Sequence, residues 1–204
     1  MDDDSDDSED PADKNDKRRK SVLNSLTCLK RSRTFFTFLP AILITPFYPL
    51  IGFCILIMLI EKIILGRLGI PGLEFTTLAT FLFGVKYKIE TAILITILIP
   101  NIFLKLLKFF LWPETLNPDE GPINLNFSTL LDVVVATIGY VTYNILHLPL
   151  LIGIFFALLV KHSLNILYTI NSDKPEVMSA GISFLTNLIF VAIFNPILLR
   201  LIRL

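Results

Sequence analysis

Two cysteines in 204 residues, Cys28 and Cys54, are too few for a disulfide framework. No Gly-x-x-x-x-Gly-Lys phosphate loop, His-Glu-x-x-His or Cys-x-x-Cys occurs, nor the spaced aspartates with which phosphoalcohol transferases hold metal. These absences leave no metal or cofactor to assign and point away from an enzyme. An intramembrane aspartyl enzyme needs two facing aspartates, and Asp132 alone lies within an apolar run, so that reading would have to recruit Glu74 as the second acid. Charge is also scarce once the amino-terminal tail is passed. The formal net charge of zero sums an acidic start, a basic segment behind it and an almost uncharged remainder.

What is abundant is apolar side chain. Hydrophobic residues make up 53% of the chain and aromatic residues 11%, and mean hydropathy is +0.69. That is beyond the usual range for a soluble domain, so an all-α polytopic membrane protein is expected. Residues 1–16, MDDDSDDSEDPADKND, hold nine acids, one lysine and no large apolar residue after Met1, and with the basic residues up to Lys20 they predict a disordered cytoplasmic tail over 1–20. In 21–34, Val22, Leu26 and Leu29 recur at helical spacing between basic clusters, which suits an interfacial amphipathic helix on an anionic leaflet. The same basic residues equally serve to hold the start of the first span in the cytoplasm, and Cys28 beside them is a palmitoylation candidate. The first apolar run follows some thirty polar residues, unlike a signal peptide, so the first span is expected to act as its own insertion signal.

Residues 35–204 predict about six spans, at 35–60, 70–85, 89–112, 127–146, 149–170 and 177–199. Pro40, Pro46 and Pro49 predict kinks in the first. Twelve of the eighteen Lys and Arg (eight from Lys14 to Arg33, then Lys86, Lys88, Arg200 and Arg203) fall on one side if both termini are cytoplasmic, which is the expected orientation in the cell membrane. Basic residues beside a span are explained by lipid and topology, so nucleic acid is not an expected partner.

The stretch GIPGLEFTTLATFLFG, 69–84, carries the sharpest signal. At 100° per residue Thr76, Thr77, Thr80 and Gly84 form a small polar stripe with Glu74 at its edge, and Phe75, Leu78 and Leu82 are expected to face lipid. The later spans repeat the pattern. Asp132 sits on a polar face of the fourth, Lys161 with His162 and Asn165 on the fifth, and Asn101 beside Pro100 in the third. A charge at the centre of a bilayer costs ~2.5–3.5 kcal/mol, so Asp132 and Lys161 are expected to pair or to meet water. Glu74, Thr77, Thr80, Asn101, Asp132, Lys161 and Asn165 are therefore the candidate ligand-binding residues around an outward-opening polar cavity. A purely structural ion pair is the competing reading, and Gly153 with Ala157 is a small-xxx-small pair that predicts close helix packing.

Six short spans with a Gly- and Pro-rich entry to a polar second span resemble the substrate-binding S components of energy-coupling factor transporters, the likeness resting on residues 69–84 and the hairpin after them. The resemblance implies capture of a small solute from outside and delivery with a separate transmembrane and ATPase module. Where the family carries an Ala-xxx-Ala contact for that module, this chain has only Ala41 and Thr45. The rod-shape scaffold MreD uses a related fold without transport, so a membrane scaffold or assembly role is the alternative.

Overall fold

The computed structural model describes residues 36–65, 74–111, 126–169 and 177–204. The chain divides into two units, Met1–Thr37 and Phe38–Leu204. The acidic tail, the expected interfacial helix, Cys28, and the connections at 66–73, 112–125 and 170–176 lie outside the described residues. All but two of the described residues, Phe36 and Thr37, belong to the second unit.

That unit is helical, with no strand among its described residues. A first helix, α1, is helical through residue 44 and gives way to a turn over 45–47. Pro46 sits in that turn, where it lacks an N–H and its ring would strike the carbonyl four residues back. Pro49 then occupies the first position of α2, Pro49–Leu59, where its fixed φ suits a helix start. The first expected span is therefore two pieces rather than one rod. From Leu59 the chain continues as a π-helical stretch, Ile60–Leu65, so that Glu61 and Lys62, read from sequence as linker, belong to the helix.

Helix α3 is Phe75–Lys86. After a two-residue connection, α4 comprises Ile89–Thr96, a π-helical stretch Ile97–Phe103, and Leu104–Leu111. Helix α5 is Phe127–Tyr140, extended by a π-helical turn Val141–Ile145. Helices α6, Leu150–Thr169, and α7, Val177–Arg203, complete the bundle. Among the described residues four helices are long and apolar enough to cross a membrane: Ile89–Leu107, Phe127–Ile145, Leu150–Thr169 and Val177–Arg203. The protein is an all-α integral membrane protein.

A short apolar helix, α3, is the centre of the bundle. Helix α3 packs on α2, α4, α5, α6 and α7, and every residue from Thr76 to Val85 is buried. This corrects one sequence expectation. Leu78 and Leu82, expected to face lipid, are fully buried, and Phe75 is half-buried against Phe190, with ring centroids 5.3 Å apart. A helix apolar around most of its circumference is a core helix, and small residues on the threonine side allow a close neighbour there as well. Helix α5 is that neighbour. A Cβ at Gly84 would fall on the carbonyl oxygen of Ala136, and one at Gly139 would lie 2.5 Å from the carbonyl oxygen of Phe81. Gly153 of α6 meets Thr142 and the Phe81 ring in the same way, and Ala157 is fully buried, so the small pair on α6 does mark close packing.

Two breaks in regularity have local chemical causes. Pro100 cannot donate to Thr96, four residues back, and its ring would crowd that carbonyl. The helix widens to π geometry there, and Asn101 Nδ2 donates to the Thr96 carbonyl at 3.1 Å in place of the lost bond. Asn101 Oδ1 in turn accepts from Thr129 Oγ1 of α5 at 2.8 Å. Asn101→Ala is expected to remove two buried side-chain hydrogen bonds, leaving Thr129 Oγ1 only its longer bond to Asn126 Oδ1 at 3.4 Å, and to cost about 1–3 kcal/mol, measured as thermal stability in mild detergent; an unchanged midpoint would show that these bonds carry no net stability.

The end of α5 is closed by His147, whose φ of 52° is left-handed. Leu146 N–H donates to the Val141 carbonyl and Leu148 N–H to the Thr142 carbonyl, each at 2.9 Å, which closes the helix as glycine usually does. An L side chain in that region costs ~1–2 kcal/mol, offset in part by glycine's larger entropy loss. His147→Gly is thus expected to stabilise the fold by about 0.5–1 kcal/mol, and His147→Val to destabilise it, in the same thermal assay.

Candidate functional site

Helix directions bring the ionisable residues together. Helices α3 and α5 run parallel, since Asn144 near the end of α5 donates to the Val85 carbonyl near the end of α3 at 3.1 Å. Helix α6 runs back against α5, with Phe127 at the start of one stacked on Tyr168 at the end of the other, 4.0 Å between centroids. The chain thus returns Glu74 (before α3), Asp132 (second turn of α5) and Lys161 (late in α6) to one half of the bundle.

Lys161 is the hub. Its Nζ lies 3.1 Å from Glu74 Oε2 and 3.4 Å from Asp132 Oδ1, and it also donates to Thr77 Oγ1. The Lys161 side chain is 9% exposed and that of Asp132 is 4%, but the Glu74 side chain is 42% exposed. The ammonium therefore joins a buried carboxylate inside the bundle to a half-exposed one at its edge. Thr77 Oγ1 donates to Glu74 Oε2 at 3.4 Å, so Glu74 is held from two helices.

Glu74 occupies the position that caps α3, yet its side chain makes no capping bond. That task falls to Glu61, whose Oε2 accepts from the Thr76 backbone N–H at 2.6 Å and from Thr76 Oγ1 at 2.9 Å. A carboxylate there also opposes the positive end of the helix. Its other oxygen faces Lys62 Nζ at 2.8 Å. Glu61→Gln is expected to keep a weaker cap and cost about 1 kcal/mol, and Glu61→Ala about 2, read as thermal stability; equal loss in both would show that capping is not its role.

Helix α7 closes the remaining side. Asn187 Nδ2 donates to the Glu74 carbonyl at 3.2 Å and to the Ser183 carbonyl at 2.8 Å. Its Oδ1 is buried with no partner, as is Nε2 of His162, the residue next to the hub. The polar cluster therefore retains unfilled hydrogen-bonding capacity. Its formal charges are three carboxylates, Glu61, Glu74 and Asp132, against two ammonium groups, Lys62 and Lys161, a surplus of one negative charge.

Of the seven residues singled out from sequence, Glu74, Thr77, Asp132 and Lys161 meet directly. Thr80 lies one turn below, its hydroxyl donating to the Thr77 carbonyl at 3.0 Å. Asn101 is engaged by Thr96 and Thr129, at the α4–α5 contact. Asn165 is half-buried one turn beyond Lys161, and its backbone carbonyl accepts from Thr169 Oγ1 at 2.9 Å. Sequence reasoning missed Glu61, hidden because a charge ending an apolar run reads as linker, and Asn187, whose i+4 spacing from Ser183 was the available signal. Among the described residues no set of three or more His, Cys, Asp or Glu is placed to hold a metal ion.

No family model, curated protein or solved structure matches the chain. The functional reading therefore rests on the site's own chemistry.

Proposed function

We propose that this integral membrane protein is a non-enzymatic, small-solute-binding component of a transporter, with its site at the Glu74–Lys161–Asp132 cluster. The observation that carries the reading is Lys161, a buried ammonium shared between a buried and a half-exposed carboxylate. A cluster needed only to hold helices together has no use for a half-exposed pole. Glu74 supplies the entrance, Asp132 and Lys161 the charged floor, and His162 and Asn187 the spare hydrogen-bonding atoms. With both termini in the cytoplasm, as the basic residues favour, the entrance faces outward, in keeping with the resemblance to transporter S components and a separate ATPase-bearing partner. A membrane scaffold of the MreD kind is the second reading. It is favoured by the ion pairs of Lys161 with Glu74 and Asp132, which link α6 to the start of α3 and to α5.

The test is to purify the chain in mild detergent and identify co-purifying small molecules by mass spectrometry, then to repeat with Asp132→Asn. A molecule retained by the parent and lost in the variant supports binding. No molecule in either, with stable capture of envelope or cytoskeletal proteins, would favour the scaffold.

A further inference from the structure

Helices α6 and α7 leave an open groove of about 550 Å³ on the bundle surface, with no charged residue in its lining. Its wall is apolar, with Ile152, Phe155 and Phe156 from α6 and Leu188, Ile189 and Ala192 from α7. Ile152 is 43% exposed, Phe155 40% and Ile189 57%, so the floor is open to the surroundings.

The groove leads to cations. Eleven residues return a helix to within about 20° of the same azimuth and advance it ~16 Å. Arg200 therefore lies on the face of Ile189, and Arg203 on that of Ala192, both toward the end of α7. A third cation joins them, because Lys86 Nζ donates to the Ile202 carbonyl at 2.5 Å. Arg200 and Arg203 are exposed, and among the described residues no carboxylate pairs with either. Arg200 lies ~12 Å along α7 from Ala192 and ~16 Å from Ile189, a reach comparable to one leaflet of a hydrocarbon core ~30 Å thick.

We infer that the α6–α7 groove with Arg200 and Arg203 is a seat for one anionic phospholipid, its phosphate at the arginines and an acyl chain in the groove. A zwitterionic lipid would fill the groove but gain less from the cations. A second copy of this chain would bring its own arginines against Arg200 and Arg203. Basic residues near a headgroup surface favour anionic lipid by about fivefold each, which sets the scale of preference.

The full chain in mild detergent is offered equal amounts of phosphatidylglycerol and phosphatidylcholine, and retained lipid is counted by native mass spectrometry. The expected result is phosphatidylglycerol in excess by about fivefold or more, a preference near unity in Arg200→Gln/Arg203→Gln, and loss of both lipids in Ile189→Trp, which fills the groove. Lys105→Gln, on α4 and away from the groove, should leave the preference unchanged. Equal retention of the two lipids by the parent, a preference that survives the double arginine variant, or an equal loss in Lys105→Gln would overturn the inference. So would a dimer mass that Ile189→Trp abolishes in place of a lipid adduct.

Discussion

Lys161→Met is expected to lower stability by about 3–5 kcal/mol, because it leaves Asp132 buried with no compensating charge. The Asp132 side chain is 4% exposed, and Lys161 is the only cation within ion-pairing distance of it among the described residues. Thermal unfolding in mild detergent gives the readout, and a midpoint like that of the parent would mean that the pair is not buried in the folded protein. Neutralising all three members, with Glu74→Gln, Asp132→Asn and Lys161→Met together, should return most of the lost stability, since buried ion pairs are often replaceable by uncharged groups of similar volume. That triple variant also separates the two functional readings. If the cluster only fastens helices, a restored fold brings restored partner capture. If it binds solute, the fold returns and the solute does not.

Gly84→Ala is expected to have a comparable effect from a single methyl group. A Cβ there would fall on the Ala136 carbonyl oxygen, with the Ala136 carbonyl carbon at 2.8 Å and the Tyr140 nitrogen at 3.0 Å. All three are backbone atoms of α5, so relief requires α3 and α5 to separate. Overpacking of a closed core costs about 1–3 kcal/mol, and more when backbone must move, so a loss of about 3 kcal/mol is expected. Gly181 provides the contrast, since nothing lies within 4 Å of a Cβ built on it. Gly181→Ala in α7 should stabilise by about 0.5–1 kcal/mol through helix propensity alone. Equal behaviour of the two variants would contradict the close α3–α5 contact.

The long apolar helices were legible because their composition admits little else, and the pairing of Asp132 with Lys161 followed from the cost of leaving either alone in lipid. The inward placement of Asp132 on α5 was legible too, since it is buried while Leu130, two residues before it, is 57% exposed. The environment of α3 was not. From sequence, a polar stripe opposite bulky residues reads as protein on one side and lipid on the other, and only the neighbours brought by later parts of the chain reveal a helix covered on all sides. The local role of Asn101 was hidden for a related reason. Pro100 beside it cannot donate to the Thr96 carbonyl, and the Asn101 side chain donates there instead. Glu61 went unseen because its partner, the first turn of α3, is 15 residues away along the chain and adjacent only in space.

The shortness of α3 bears on how the protein is made. Its 12 residues span ~18 Å, well below the ~20 residues a bilayer crossing needs. The segment can be held in the membrane only by neighbours that cover its ends and its threonines, and four of its five, α4 to α7, are synthesised after it. Biogenesis cannot then proceed strictly from the amino terminus. The centre of the bundle must wait, weakly inserted beside α4, until helices from the carboxyl-terminal half arrive to enclose it. Chains cut after residue 111 should accordingly leave α3 accessible to water-soluble thiol reagents at an introduced cysteine in place of Thr80, where the full chain protects it.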